Sequence, residues 1–371
     1  MKCKILFIGL VATFLIFIIQ SCGMEELKNE TTLFVGTYTN DGSGSEGIYR
    51  FTFNMDSGKL LDQKLAAAIT NPSFITLSPD KKTLYAIGEI DDYEGNSGNI
   101  TTFRVTDSVL MKIDTKTTHG AHPCFIGIDK SGDYVAVANY TGGNVAVFNA
   151  QDNGDLVDSP QVIDHKVLDT SRTSHAHMAS FLEDELFVSD LGLDRIIKYT
   201  RNNGEFTPSP QPDLMVAEGS GPRHFVTSQN GKFLYVINEL NSTLTCFQKD
   251  GDKYYGMETY DTVASDFKGK SFCADIHLSP DGKFLYGSNR GENTIVIFKV
   301  DEATGKLELV GREPVKGDWP RNFILDPNGE FLLVANQRSN NIVVFNRDAE
   351  KGTLSFTSEV ELPSPVCLQF Y

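Results

Sequence analysis

The chain has 371 residues, and 33 Lys and Arg against 49 Asp and Glu give it a formal net charge of −16. That balance excludes nucleic acid as a partner, because such binding depends on Lys and Arg neutralising phosphates, and it disfavours adsorption to an anionic bilayer. An anionic substrate would have to be held by a local cluster of cations.

The first segment does not belong to the fold. Lys2 and Lys4 precede an apolar run from Ile5 to Ile19, too short for a comfortable membrane span and suited to the core of a signal peptide. The residues that follow, Ile19-Gln20-Ser21-Cys22-Gly23, resemble a bacterial lipobox, which implies cleavage before Cys22 and acylation of its thiol. Residues 1–21 are therefore expected to be a lipoprotein signal peptide, 22–31 a polar lipid-anchored tether and 32–371 the folded domain. The alternative is an uncleaved N-terminal anchor. The first reading places the protein in the cell envelope, in the periplasm or at the outer surface, as a monomer touching membrane only through its lipid. Of the six cysteines, Cys124, Cys246, Cys273 and Cys367 remain in the domain. Export permits disulfides, but the repeat phase separates these four, so buried free thiols are expected.

Beyond the tether one pattern recurs: an alternating apolar run, a tight polar turn, a second apolar run, a loop, and a third run ending in an aromatic. Its clearest copy runs from Ile276 through Asp281-Gly282 to Asn289, then from Asn293 to Phe298; Asp-Gly between alternating runs is a strong hairpin signal. Anchoring each copy on its second run gives Leu33, Leu84, Val135, Leu186, Leu234, Leu285 and Leu332, spaced 51, 51, 51, 48, 51 and 47 residues apart. Short strands at so regular a period predict an all-β, seven-bladed propeller of four-stranded antiparallel blades. Phe148, Tyr199, Phe247, Phe298 and Phe345 each follow their anchors by thirteen residues, whereas Phe51 and Phe103 follow by eighteen and nineteen. The first two blades therefore carry longer loops, at residues 40–46 and 91–98. Leu33 has no inner strand before it, and the C-terminal run Pro365–Tyr371 resembles one. It is expected to pair into the first blade and close the ring, removing its free edges.

The start of each innermost strand and the end of the next share one face of the disc, because the two are antiparallel. The first column reads Ser73, Cys124, His177, Arg223, Ala274, Arg321 and Val366, and the second reads Tyr38, Glu89, Tyr140, Leu191, Glu239, Arg290 and Gln337. His224, Asp275 and Asn322 lie one step further along their inner strands. Three arginines at one mouth repel one another unless an anion or carboxylates lie between them. Arg223 and Glu239 could alternatively be a simple cross-strand ion pair, and His177 a hydrogen-bonded core histidine. His119 and His122 read as loop residues and His277 as structural. The asparagines Asn139, Asn238, Asn289 and Asn336 read as ligands of loop backbone. No Gly-x-Ser-x-Gly elbow, Walker loop or His-Glu-x-x-His occurs, and neither a metal nor a cofactor is expected.

Taken in order, Val35-Gly-Thr-Tyr-Thr39, Ala138-Asn-Tyr-Thr-Gly-Gly-Asn-Val145, His175-Ala-His177 and Ser189-Asp-Leu-Gly-Leu-Asp-Arg195 carry a resemblance, continued by Gly221-Pro-Arg-His224, Asn238-Glu239, Asp275-Ile-His277, Ser288-Asn-Arg-Gly291 and Trp319-Pro-Arg-Asn322. Together they resemble the seven-bladed propeller 6-phosphogluconolactonases, whose relatives include carboxymuconate-cyclising enzymes. The resemblance implies hydrolysis of a sugar δ-lactone, with Glu239, His177, Arg223 and Arg290 as catalytic residues. Glu239 or His177 would be the general base, and Arg223 and Arg290 would stabilise the oxyanion. Arg321, Gln337, Asn322, Asp275, Glu89 and His224 are the expected substrate ligands. Export puts a phosphorylated, intracellular lactone in question. Two other readings stand beside this one: a cycloisomerase using the same arginines on a dicarboxylate, and a non-catalytic binding propeller, since one architecture hosts many functions.

Overall fold

The computed structural model describes residues 29–40 and 42–371. The expected signal peptide, Cys22 and most of the tether lie outside the described residues. Alternating runs separated by Gly-containing turns fold into seven antiparallel blades, six of four strands and one whose outer edge is in two pieces, and the only helical element among the described residues is the short 3₁₀ turn His165–Val167. Blade one is completed from the far end of the chain. The C-terminal strand Pro365–Phe370 pairs antiparallel with Glu30–Thr37, placing Leu33 opposite Phe370 and Gly36 opposite Cys367.

The turn between the first two strands of a blade is tied by a small polar residue at its start. Ser78, Ser228 and Ser279 accept the backbone N–H groups of Thr83, Phe233 and Phe284 at 3.0, 2.9 and 3.0 Å. Asp129 and Asp326 serve Tyr134 and Phe331 in the same way. Side-chain oxygens thus satisfy donors that the ladder cannot reach.

Packing between blades comes from the alternation of the second and third strands. Phe233, Tyr235 and Ile237 of blade five pack on Ile276, Leu285, Val296 and Phe298 of blade six, all of them buried. Each such side chain contributes about 1.5–3 kcal/mol on burial. Three tyrosines also cross to the next blade to reach a glycine carbonyl in a left-handed turn: Tyr85 to Gly154, Tyr235 to Gly305 and Tyr286 to Gly352, at 2.7, 3.1 and 2.9 Å.

Two details differ from the sequence expectation. Residues 91–98 are largely an extension of the hairpin Thr83–Tyr93 and Ser97–Thr106, not a loop. In blade four the outer strand is split into Glu205–Pro208 and Leu214–Met215, both paired with Arg195–Asn202. Cys124, Cys246, Cys273 and Cys367 are free and buried.

Candidate active site

The inner strands begin with a bulge, and the bulge decides what faces the axis. The ladder skips Cys124 between Pro123 and Phe125, His177 between Ala176 and Met178, Arg223 between Pro222 and His224, and Arg321 between Pro320 and Asn322. A bulged residue opposes no partner and its side chain is re-aimed. Three of these bulges follow a proline, which has no N–H to give the ladder. The bulged positions are the ones that the column of strand starts had collected.

The second column meets them. Glu239 Oε2 lies 2.9 Å from Arg223 Nε and 2.9 Å from Arg290 Nη2, so one carboxylate bridges guanidinium groups of blades five and six. The Arg223 N–H is not aimed at that oxygen, which makes the contact ionic and not a hydrogen bond. Arg290 is further held by the carbonyls of Phe272 and Cys273 at 3.3 and 2.9 Å, and its guanidinium sits 5.3 Å from the Trp319 ring centre. A second cluster repeats the device: Glu89 Oε2 accepts the Tyr38 hydroxyl at 2.7 Å and faces Arg321 Nη2 at 3.5 Å, with Arg321 over the Tyr38 ring.

These contacts set the charges. Burial raises the Glu239 carboxyl, but Arg290 and Arg223 outweigh it and leave its pKa below the usual carboxylate value. Burial pulls Arg290 down to about 10, against the pull of Glu239. Burial, then the positive field of Arg223, pushes His177 well below the ordinary imidazole value. His177 is therefore neutral at pH 7, and its Nδ1 is buried without a hydrogen-bond partner among the described residues. Tyr140 packs edge-on against it and stacks on His175 at 4.3 Å between ring centres.

An open cavity of about 890 Å³ lies over this layer, with Tyr38, Glu89, Arg290, Trp319, Arg321 and Gln337 among its walls. Arg290 belongs both to that wall and to the Glu239 bridge, so the cavity and the cluster are one site. A separate cavity of about 510 Å³ lies among turn residues of blades two and three, including Asp80, Lys82 and Asp133, and no comparable pair of arginines converges there.

A model of the family described as lactonase, 7-bladed beta-propeller matches residues 32–370. The chain belongs to the seven-bladed β-propeller lactonase family. Similar lactonases include the 6-phosphogluconolactonase of Formosa agariphila, 40% identical over 307 residues, which are 79% of this chain and 86% of that protein. The 6-phosphogluconolactonase of Bacillus subtilis is 31% identical over 347 residues, 91% of this chain and 97% of its own. Among solved structures, the periplasmic gluconolactonase of Pseudomonas aeruginosa matches with a TM-score of 0.81 at 33% identity, covering 92% of this chain and 99% of that one.

In this lactonase Glu239, Arg223 and Arg290 come together as one cluster, His177 packs against Tyr140 and against His224, which itself contacts Arg223, and Arg321, Glu89 and Gln337 line the adjoining cavity. The structure does not bring His224, Asp275 and Asn322 to that cavity. They line a smaller one of about 250 Å³ along the axis, walled by Phe74, Phe125, Phe225 and Phe323. His224 and Asn322 re-enter the ladder directly after the bulged Arg223 and Arg321, and Asp275 lies within the irregular step between Cys273 and Ile276. His224 and His277 both bond Asp275, at 2.8 and 3.1 Å. Among the described residues no three His, Cys, Asp or Glu side chains have the spacing to hold a metal ion.

Sequence reasoning gave no site role to Tyr38, Trp319 and His122, which the cavity includes. Tyr38 stood in the second column, and its ring-and-hydroxyl chemistry was the available signal. Trp319 and His122 have left-handed backbone, with φ of 68° and 50°, and lie in loops that the repeat phase does not place. Asn139, Asn289 and Asn336 do bond loop carbonyls, of Thr118, Thr262 and Val315. Asn238 instead bonds the hydroxyls of Thr243 and Thr245.

Proposed function

We propose that this lactonase opens a sugar δ-lactone to its aldonic acid using protein groups alone, with His177 as general base. The observation that carries the reading is the pair of guanidinium groups, Arg223 and Arg290, fixed by one carboxylate, with the neutral His177, whose buried Nδ1 has no hydrogen-bond partner among the described residues, packed on the His224 ring that contacts Arg223. His177 accepts a proton from water as the oxygen attacks the lactone carbonyl. The charge that develops on the carbonyl oxygen falls on Arg290 and Arg223, and a well-placed donor of this kind is worth about 3–4 kcal/mol. The ring C–O bond then breaks, and the imidazolium returns its proton to the departing ring oxygen. Glu239 is already engaged by two cations, and its work is to aim them. Arg321, Glu89, Tyr38 and Gln337 face the polyol end of the substrate.

The same reading extends to location. The strand Glu30–Thr37 starts on the face opposite the mouth and ends beside it at Tyr38. A lipid on Cys22 would then hold the domain by its far face and leave the mouth open to envelope solutes. We propose an anchored envelope enzyme on that basis. Fatty-acid labelling of the native protein and of Cys22→Ala tests the anchor, which requires that only the native protein take up label.

The decisive assay incubates residues 23–371 with gluconolactone and with 6-phosphogluconolactone in the presence of a chelator. Hydrolysis of either lactone above its spontaneous rate is expected. No acceleration of either would end the lactonase reading and leave the cycloisomerase, tested on dicarboxylate lactones, or a binding propeller.

A further inference from the structure

His224 and Asp275, displaced from the cavity, form with Arg223 a chain whose protons can be placed from chemistry alone. The Asp275 carboxylate is 4% exposed. Burial raises its pKa, but His277 and His224 overcome that and hold it well below the ordinary value, so it can only accept. Its Oδ1 lies 2.8 Å from His224 Nδ1; that nitrogen must carry the proton. On the other side of the ring, His224 Nε2 faces Arg223 Nη1 at 3.4 Å. A guanidinium has only donors, so Nε2 must be bare. Two neighbours of opposite character thus demand the same neutral tautomer. Burial and Arg223 push His224 down to about 4, in agreement.

The consequence falls on Arg223. Its Nη1 also donates to the Ala274 carbonyl, and its Nε faces Glu239. With those two nitrogens held, the planar group has one edge left, at Nη2.

We propose that Asp275 and His224 are positioning residues for Arg223: the carboxylate fixes the imidazole tautomer, and the imidazole holds the guanidinium plane that turns Nη2 toward the lactone carbonyl. The proposal rests on the lactonase reading of the site. Asp275 is suited to the task because it is itself immobilised. Its oxygens also take Asn322 Nδ2 at 2.6 Å and the N–H groups of Ile276 and Phe323 at 3.0 and 3.3 Å. Asn322 in turn accepts the Leu368 N–H of the closing strand at 2.8 Å. The direction of Arg223 is thereby referred to the frame of blades five, six, seven and one together.

The test has two parts. In the wild-type protein, ¹⁵N chemical shifts of the histidine rings report the His224 tautomer. A proton on Nδ1 is required, and a proton on Nε2 overturns the proposal whatever any variant does. Kinetics then compare Asp275→Asn, His224→Leu and His224→Gln, each checked for wild-type circular dichroism. The first two should lose about ten- to a hundredfold in kcat, the cost of a misaimed catalytic group, while KM stays near its wild-type value. The glutamine amide can still donate to Asp275 and accept from Arg223, so His224→Gln should recover most of the turnover that leucine loses. Unchanged kcat in folded His224→Leu, or equal losses in the glutamine and leucine variants, would refute positioning. Absence of lactone turnover in the wild-type protein would instead refute the lactonase reading, with the tautomer result still standing by itself.

Discussion

Replacing Glu239 by glutamine tests what holds the two arginines. The carboxylate is 18% exposed and sits 2.9 Å from both Arg223 and Arg290. Removing one partner from a largely buried ion cluster costs about 3–5 kcal/mol, because the remaining charges are left unneutralised. For a domain of about 340 residues the unfolding entropy is roughly 0.7 kcal/mol/K, so Tm should fall by about 4–7 °C. Turnover should fall further than that loss of stability would suggest. Each oxyanion donor is worth about 10²–10³ in rate, and Glu239→Gln releases the aim of two without removing either. A drop of at least about a hundredfold in kcat is expected at a temperature where the variant is fully folded. The same variant should bind sulfate or phosphate more tightly than the native protein, since three guanidinium groups would face Glu89 alone. The assays are lactone hydrolysis followed with a pH indicator after subtraction of the spontaneous rate, differential scanning calorimetry, and anion inhibition. Wild-type turnover together with an unchanged Tm would show that the carboxylate does not hold the arginines, and the proposed mechanism would fall.

Three other outcomes follow from the same structure. His177→Gln should lose about 10²–10⁴ in kcat, the usual contribution of a general base; because burial and Arg223 keep His177 neutral, native kcat/KM should be flat from about pH 6 to 8, and an inflection near the ordinary imidazole value would refute that assignment. Stability should rise with pH between about 4 and 6.5, the window in which the unfolded chain takes up a proton that folded His224 refuses, for about 3 kcal/mol from that residue. Above that window it should decline, because Asp275 overcomes burial to raise His277, whose stabilising proton is lost as the pH passes its folded pKa; calorimetry showing a Tm that does not change from pH 4.5 to 6.5 would contradict the buried neutral His224. Gly305→Ala should destabilise by about 1–3 kcal/mol, because the new methyl group meets the Phe233 ring in a left-handed turn with φ of 71°; an unchanged denaturation midpoint would show that the turn relaxes freely.

The ring was legible because a propeller repeats. Seven copies of one pattern impose a phase, and phase alone placed Glu89, Glu239, Arg290 and Gln337 at the ends of second strands. Closure by Pro365–Phe370 was legible for the same reason, as the missing first strand of an otherwise complete set. The inner strands were read less well. A regular register treats Arg223 and His224 as neighbours at the same mouth, whereas the structure sets His224 in the smaller axial cavity and leaves the bulged Arg223 between it and Glu239. Pro222-Arg223, Pro320-Arg321 and Pro123-Cys124 carried a trace of those bulges, since a proline opening a strand cannot keep the ladder.

By itself the sequence determined the periodicity of seven blades, the face on which charged side chains gather, and the identity of those charges. All of these follow from local alternation and counting, which a linear chain records. Only the tertiary structure decided which charge answers which: that Glu239 takes Arg223 and Arg290 together, that Glu89 takes Arg321 with Tyr38, and that Asp275 belongs to His224 below them. Each of those sets draws on more than one blade. They depend on a few ångströms of displacement at bulges and on the curvature that brings the blades around the axis, and neither quantity is written in the spacing of residues along one strand.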